Sequence, residues 1–168
     1  MIARKNIVTI HALAGTGAFI MISAFQMATL TGEIIGDGSL IASIKTGIAL
    51  SLLVLAPLMA IAGVTGRRLS GGATKGLPVA KLRRLQIAAI NGLLVLVPSA
   101  LFLLWKARTG SLDMSFRAVQ TLELGAGLAN VTLLGLNMID GFKLSGRLRH
   151  RPATKANRSK LERQADVT

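Results

Sequence analysis

The chain has 168 residues, a formal net charge of +13, a mean hydropathy of +0.57 and 51% hydrophobic residues. So apolar a composition is typical of a polytopic membrane protein and excludes an ordinary soluble domain. The chain contains no cysteine, which excludes disulfides, thiolate metal sites, iron–sulfur clusters and cysteine nucleophiles. The only histidines are His11 and His150, too few for a multi-histidine metal site within one chain.

Apolar runs long enough to cross a bilayer predict transmembrane helices at about residues 7–30, 44–66, 87–105 and 116–140. The first run is too long for a signal peptide and lacks a small-residue cleavage site, so we predict an uncleaved helix. The acidic segment 31–45 is predicted as a loop, and Pro57 predicts a kink in the second helix. The fold class is therefore all-α: a polytopic membrane protein with four helices in an antiparallel bundle.

Residues 1–146 form the predicted transmembrane domain, and 147–168 form a basic cytoplasmic tail with little apolar periodicity, predicted to be disordered. Within the domain, Pro78 is predicted in the first turn of the third helix, and Asp113 or Ser115 is predicted to cap the fourth.

Lysine and arginine are concentrated on one predicted side of the membrane. Sixteen of the twenty lie in the head, the middle loop and the chain end: Arg4, Lys5, Arg67, Arg68, Lys75, Lys81, Arg83, Arg84, Lys143, Arg147, Arg149, Arg151, Lys155, Arg158, Lys160 and Arg163. Because basic residues collect in cytoplasmic loops, both termini are predicted to be cytoplasmic, in a bacterial inner membrane. The charge is thus attributed to topology and to anionic lipids at the cytoplasmic face, not to nucleic acid.

The fourth span carries a polar seam. Its members alternate at spacings of three and four along one helical stripe: Gln120, Glu123, Gly127, Asn130, Leu134, Asn137 and Gly141. Gln26 on the first span and Asn91 on the third extend this polar seam. A carboxylate inside a bilayer needs a partner, and Gln120, Gln26, Lys45 or Arg117 is within reach of Glu123 in depth. The seam therefore indicates either interhelical hydrogen bonding or an ion-coupling step at Glu123.

A second polar cluster is predicted toward the cytoplasmic side. Its members are His11, Asn91, Asn137 and Asp140. A structural network is one interpretation of this cluster. The other is a cofactor site at His11, Asn137 and Met138, where His11 with Met138 or Met59 would ligate haem b. Otherwise no cofactor is expected.

Several stretches resemble a family of small, uncharacterised bacterial inner-membrane proteins. The resemblance rests on TIHALAGTGAF, AAINGLLVLVPSALFLL, FRAVQTLELGAGLANVTLLGLN and DGFKLSGR, and it covers most of residues 7–147. It includes Gln120, Glu123, Asn130 and Asn137, and it implies a fold of four membrane-spanning helices. It implies no particular chemistry.

The sequence contains no HExxH, GxSxG, P-loop or GxGxxG motif, so a non-enzymatic role is favoured and catalysis is left undecided. We expect an accessory, assembly or scaffold subunit, as a homo-oligomer or in a larger membrane complex. One alternative is a haem- or quinone-binding electron-transfer protein that uses His11. The other is a small oligomeric transporter or channel with Glu123 as its coupling acid.

Overall fold

The computed structural model describes residues 3–144, and this part of the chain is all-helical. Four helices in it are long and apolar enough to cross a membrane: the first, Arg4–Ile35; the second, Gly38–Ser70; the third, Leu77–Arg108; and the fourth, Met114–Leu144. The four predicted spans therefore correspond to four helices. The predicted tail, 147–168, lies outside the described residues.

The helices form a bundle in which each packs along two others. The first and the third helix each pack against the second and the fourth. One apolar cluster holds Ala14, Ile22, Ala62, Leu85, Ala88 and Leu134, and another holds Ile41, Leu103, Ala107 and Phe116. Alanines in these contacts let neighbouring backbones approach closely. Large apolar side chains such as Leu13, Leu53, Leu93 and Leu128 are exposed on the outside, as expected of a surface that faces lipid.

The prediction of a loop over residues 31–45 is wrong, because only Gly36 and Asp37 separate the first two helices. Gly36 ends the first helix with a φ of 72°, a left-handed conformation that glycine adopts without steric cost. Asp37 caps the second helix by accepting hydrogen bonds from the backbone N–H groups of Ser39 and Leu40. Hydrogen bonds from Ser39 and then Leu40 lower the pKa of Asp37. The acidic residues thus mark a short junction between two helices, and most of segment 31–45 is helical on either side of it.

All four helices extend beyond the predicted spans, because apolar runs report the bilayer thickness and helices continue into the polar flanks. Gly76 precedes the third helix, and Pro78 lies in its first turn. Asp113 precedes the fourth helix and accepts a 3.0 Å hydrogen bond from the Phe116 N–H. The Lys106 ammonium donates a 2.7 Å hydrogen bond to the Asp113 carboxylate. This bond is the largest of the effects that hold the pKa of Asp113 well below its usual range.

A π-helical segment, Gly92–Leu96, interrupts the third helix. The Val97 N–H donates to the Gly92 carbonyl, five residues back instead of four. Pro98 follows directly, and a proline ring crowds the carbonyl four residues before it and has no N–H to donate. The wider π turn relieves that crowding. This feature was not predicted from the sequence.

Candidate functional site

Glu123 forms a buried ion pair with Lys45 across the second and fourth helices. The Lys45 Nζ lies 2.5 Å from the Glu123 Oε2, and Lys45 is only 2% exposed. Lys45 also donates to the Thr29 hydroxyl at 3.4 Å, and the Gln120 amide donates to the same carboxylate oxygen at 3.4 Å. The Glu123 carboxylate is thus partnered through Oε2 inside the bundle, as a buried carboxylate requires. The Gln120 Oε1 is buried with no hydrogen-bond partner among the described residues.

Gln26 joins the first helix to the fourth at the residue after Glu123. Its Nε2 donates a 2.8 Å hydrogen bond to the Leu124 carbonyl. The amide lies directly over Gly127, where an added Cβ would come within 2.5 Å of the Gln26 Nε2. Gly127, on the polar stripe of the fourth helix, thus makes room for the long side chain of Gln26 on the first helix.

Asn91 and Asn130 pair with each other between the third and fourth helices. The Asn91 Nδ2 donates to the Asn130 Oδ1 at 2.8 Å and to the Ala126 carbonyl at 2.9 Å. Asn130 is 2% exposed, and its own amide donates to the Ala88 carbonyl at 3.1 Å. These bonds link the helices through two amides and two backbone carbonyls.

Asn137 and Asp140 bind the third helix near its beginning. The Asn137 Nδ2 donates to the Lys81 carbonyl at 3.0 Å, while its Oδ1 is buried and unpartnered within residues 3–144. The Asp140 carboxylate lies 2.6 Å from Arg84 and 3.3 Å from Lys143.

His11 binds the second helix. Its Nδ1 lies 3.1 Å from both the Ala62 carbonyl and the Thr65 hydroxyl oxygen. A carbonyl only accepts hydrogen bonds, so Nδ1 carries the proton and Nε2 is left as an acceptor or ligand. Gly66 makes room for the ring, since an added Cβ there would lie 3.1 Å from its Cε1.

The predicted cluster of His11, Asn91, Asn137 and Asp140 is therefore wrong as a single network. Asn91 bonds Asn130, His11 bonds the second helix, and Asp140 bonds two cations. Sequence position placed these residues at a similar depth in the membrane. It does not show which face of its helix each side chain occupies, and the face decides which residue the side chain contacts.

A cavity of about 500 Å³ opens where the first helix begins and the fourth ends, and we call it the terminal cavity. All four helices line it, and its lining includes the candidate cofactor residues His11, Asn137 and Met138. Arg4 and Lys81 bring positive charge, and most other lining residues are apolar or small. A second cavity of about 50 Å³ lies beside Gln26, Thr29, Glu123 and Gly127.

The donor set of the terminal cavity can be compared with haem and quinone. The protonated Nδ1 of His11, held by a carbonyl, is the arrangement that presents Nε2 to a metal, and Met138 supplies a thioether from another helix. A quinone presents carbonyl acceptors, whereas the free polar atoms of His11 and Asn137 are themselves acceptors. The residues therefore fit haem ligation, and they fit a hydroxyl-bearing ligand better than an oxidised quinone.

The structure also uses residues that were not predicted for these sites. They are Thr29, Thr65 and Arg84, which contact Lys45, His11 and Asp140 respectively. Threonines and arginines of this kind carry no distinctive spacing in the sequence. Lys45 was one of several possible partners of Glu123, and the sequence alone did not distinguish it from Gln26, Gln120 or Arg117.

Neither a protein-family model nor a curated protein nor a solved structure matches this chain.

Proposed function

We propose that the chain is a multi-pass protein of a bacterial inner membrane, an antiparallel four-helix bundle with both termini in the cytoplasm. The order of contacts supports the antiparallel arrangement. Asn130 bonds Asn91 and Ala88, whereas Asn137, farther along the fourth helix, bonds Lys81, nearer the start of the third. The basic head, middle loop and chain end support the orientation. The resemblance to small bacterial inner-membrane proteins is consistent with this assignment.

Within that membrane, the proposed role is non-enzymatic: an accessory or scaffold subunit of a membrane complex. The observation that carries this proposal is the use of the polar seam. Of the six polar residues in the seam, Gln120 bonds Glu123, and the other five each bond another helix of the same chain: Gln26, Asn91, Glu123, Asn130 and Asn137. The seam's polar groups are thus used to hold the bundle together. The outer faces are left apolar, as a surface for lipid and for a neighbouring membrane protein.

Site-specific photocrosslinking tests this role. A photoreactive amino acid is placed in turn at Leu13, Leu53, Leu93 and Leu128, one exposed position on each helix, in cells that express the chain at its native level. The proposal predicts protein adducts of defined mass from one or two adjacent helices. The matched control is buried Leu103, which should give none. Lipid adducts alone at all four exposed positions would reject a subunit role.

Cofactor binding in the terminal cavity is the second candidate, because His11, Asn137 and Met138 line one cavity. Haem, when bound, would supply electron transfer, and His11 would hold it through Nε2. Visible spectra of gently purified protein, oxidised and reduced, test this candidate. A Soret band that is lost in His11→Ala and kept in Met59→Leu supports it, and a colourless protein rejects haem.

A transporter role for Glu123 is less supported, since Lys45 occupies its carboxylate.

A further inference from the structure

We infer that the terminal cavity binds one anionic phospholipid whose head group carries hydroxyls, as phosphatidylglycerol does. The phosphate would lie against Lys81 and Arg4, the hydroxyls against His11 and Asn137, and an acyl chain along the apolar wall. This inference does not depend on the subunit role. It names for the cavity a different ligand class from the haem candidate.

Charge at this end of the bundle favours an anion strongly. Nine basic residues of the described chain lie in the terminal helix turns and the adjoining connection: Arg4, Lys5, Arg67, Arg68, Lys75, Lys81, Arg83, Arg84 and Lys143. Asp140 is the single carboxylate among the described residues there, and Arg84 and Lys143 already bind it. The negative charge that would neutralise these basic residues must therefore come from outside residues 3–144.

Lys81 is the cation best placed to bind a phosphate. It lines the cavity, and its ammonium forms no salt bridge or hydrogen bond with any residue in the described part of the chain. The ammonium lies against the fourth helix at Gly141, where an added Cβ would be 3.2 Å from Nζ. Asp140 attracts this half-buried ammonium but forms its ion pairs with Arg84 and Lys143, so a phosphate oxygen would give Lys81 a direct acceptor.

Two residues that line the cavity carry acceptors that have no donor in the described chain. The Asn137 Oδ1 is buried and has no partner in the described chain, and the proton on the His11 Nδ1 leaves Nε2 as an acceptor. A buried acceptor without a donor is costly, so a ligand that carries hydroxyls beside its anionic group fits both features. A lipid phosphodiester alone supplies no donor, whereas a glycerol head group supplies two.

The cavity has the size and shape for a head group and the upper part of a chain. Its volume of about 500 Å³ lies within the range of roughly 300–1,000 Å³ usual for small-molecule sites. Its lining extends from Arg4 to Thr16 along the first helix, a depth of about 18 Å at the helical rise. Val8, Leu85 and Leu134 supply apolar wall along that depth.

Charge disfavours the chain's own end as the occupant. Residues 145–168 contain seven lysines and arginines against two acids, Glu162 and Asp166. Such a segment has the same sign of charge as the cavity mouth, and like charges repel. Membrane lipid supplies the opposite charge, and the cytoplasmic leaflet is rich in anionic lipid.

Native mass spectrometry of the full chain tests the inference. The protein is reconstituted into vesicles of equal phosphatidylglycerol and phosphatidylcholine, extracted gently and analysed for retained lipid. We expect one phosphatidylglycerol per chain. Lys81→Gln should lower its retention about fivefold, the contribution of one cation near an anionic lipid. Lys75→Gln is the matched control: it removes the same charge from an exposed residue of the adjoining connection that does not line the cavity, and it should change little.

A second pair of variants tests the cavity itself. Gly15 lines it, and an added Cβ would meet no atom within 4 Å, so Gly15→Leu should fill space without a clash and reduce retention. Gly63 also has open space at its Cβ but does not line the cavity, so Gly63→Leu should have no effect. Phosphatidylmethanol, which has the same charge and no head-group hydroxyls, should be retained less than phosphatidylglycerol.

Three outcomes would overturn the inference. They are equal retention of the two vesicle lipids, equal losses in Lys81→Gln and Lys75→Gln, and full retention in Gly15→Leu. Equal losses in the two lysine variants would mean that the bundle attracts lipid only through its overall charge. The photocrosslinking result is independent of all three, so failure here leaves the subunit role standing.

Discussion

Removing one partner of the buried Lys45–Glu123 ion pair should destabilise the bundle far more than removing both. Lys45→Met leaves the Glu123 carboxylate inside the bundle without its cation, and Glu123→Met leaves the ammonium without its anion. An uncompensated buried charge costs about 3–5 kcal/mol of unfolding free energy. The double variant removes both charges and fills the space with flexible apolar side chains, so it should lie within about 1 kcal/mol of the unmodified chain.

The assay is reversible unfolding in mixed micelles of a mild detergent and dodecyl sulfate, followed by helical circular dichroism. The four proteins of the double-mutant cycle then give a coupling free energy of several kcal/mol. Lys106→Met is the control, because it breaks an ion pair whose acid, Asp113, is exposed. Exposed ion pairs contribute little to stability, so this variant should resemble the unmodified chain.

Additive effects in the cycle would refute this reasoning. If each single variant cost less than about 1 kcal/mol, the two charges would be reached by water, and the burial that defines the site would be absent. If the double variant cost as much as the two singles together, the residues would act through separate contacts.

Two further substitutions test the seam. Asn130→Leu removes bonds to Asn91 and Ala88 and should cost about 0.6–2 kcal/mol in the same unfolding assay, whereas Thr132→Leu on the exposed face should cost little. Gly127→Ala should displace the Gln26 amide that lies against it and lower stability, whereas Gly125→Ala, which meets no atom within 4 Å, should be tolerated. Equal stability of the paired variants would contradict the packing described for that position.

The number and type of helices were predictable from the sequence, because bilayer thickness imposes a long apolar run on each span. Helix ends were less predictable. The segment 31–45 contains acids and glycines typical of loops, yet the connection consists of Gly36 and Asp37 alone. Gly36 ends the first helix, and Asp37 caps the second. The π segment before Pro98 was also missed, since composition does not distinguish a kinked helix from one that widens.

The polar residues of the site were visible in the sequence, but most of their partners were not. Spacing along the fourth helix placed Glu123 and Asn130 on one stripe, and both are buried. Partners depend on how helices rotate against each other, which periodicity within one helix does not report. This is why Asn91 was grouped with His11, although it bonds Asn130. Backbone carbonyls, which accept from Gln26 and Asn137, leave no trace in the sequence at all.

Cysteine labelling in intact cells tests most directly the claim that this bundle spans the membrane with both termini inside. The chain has no cysteine, so each introduced one is unique. Ile35→Cys lies at the exposed end of the first helix, and Ala73→Cys lies in the connection between the second and third. We predict that a membrane-impermeant maleimide labels Ile35→Cys in intact cells and labels Ala73→Cys only after permeabilisation. The reverse pattern would contradict the orientation, and equal labelling of both in intact cells would contradict a membrane-spanning bundle.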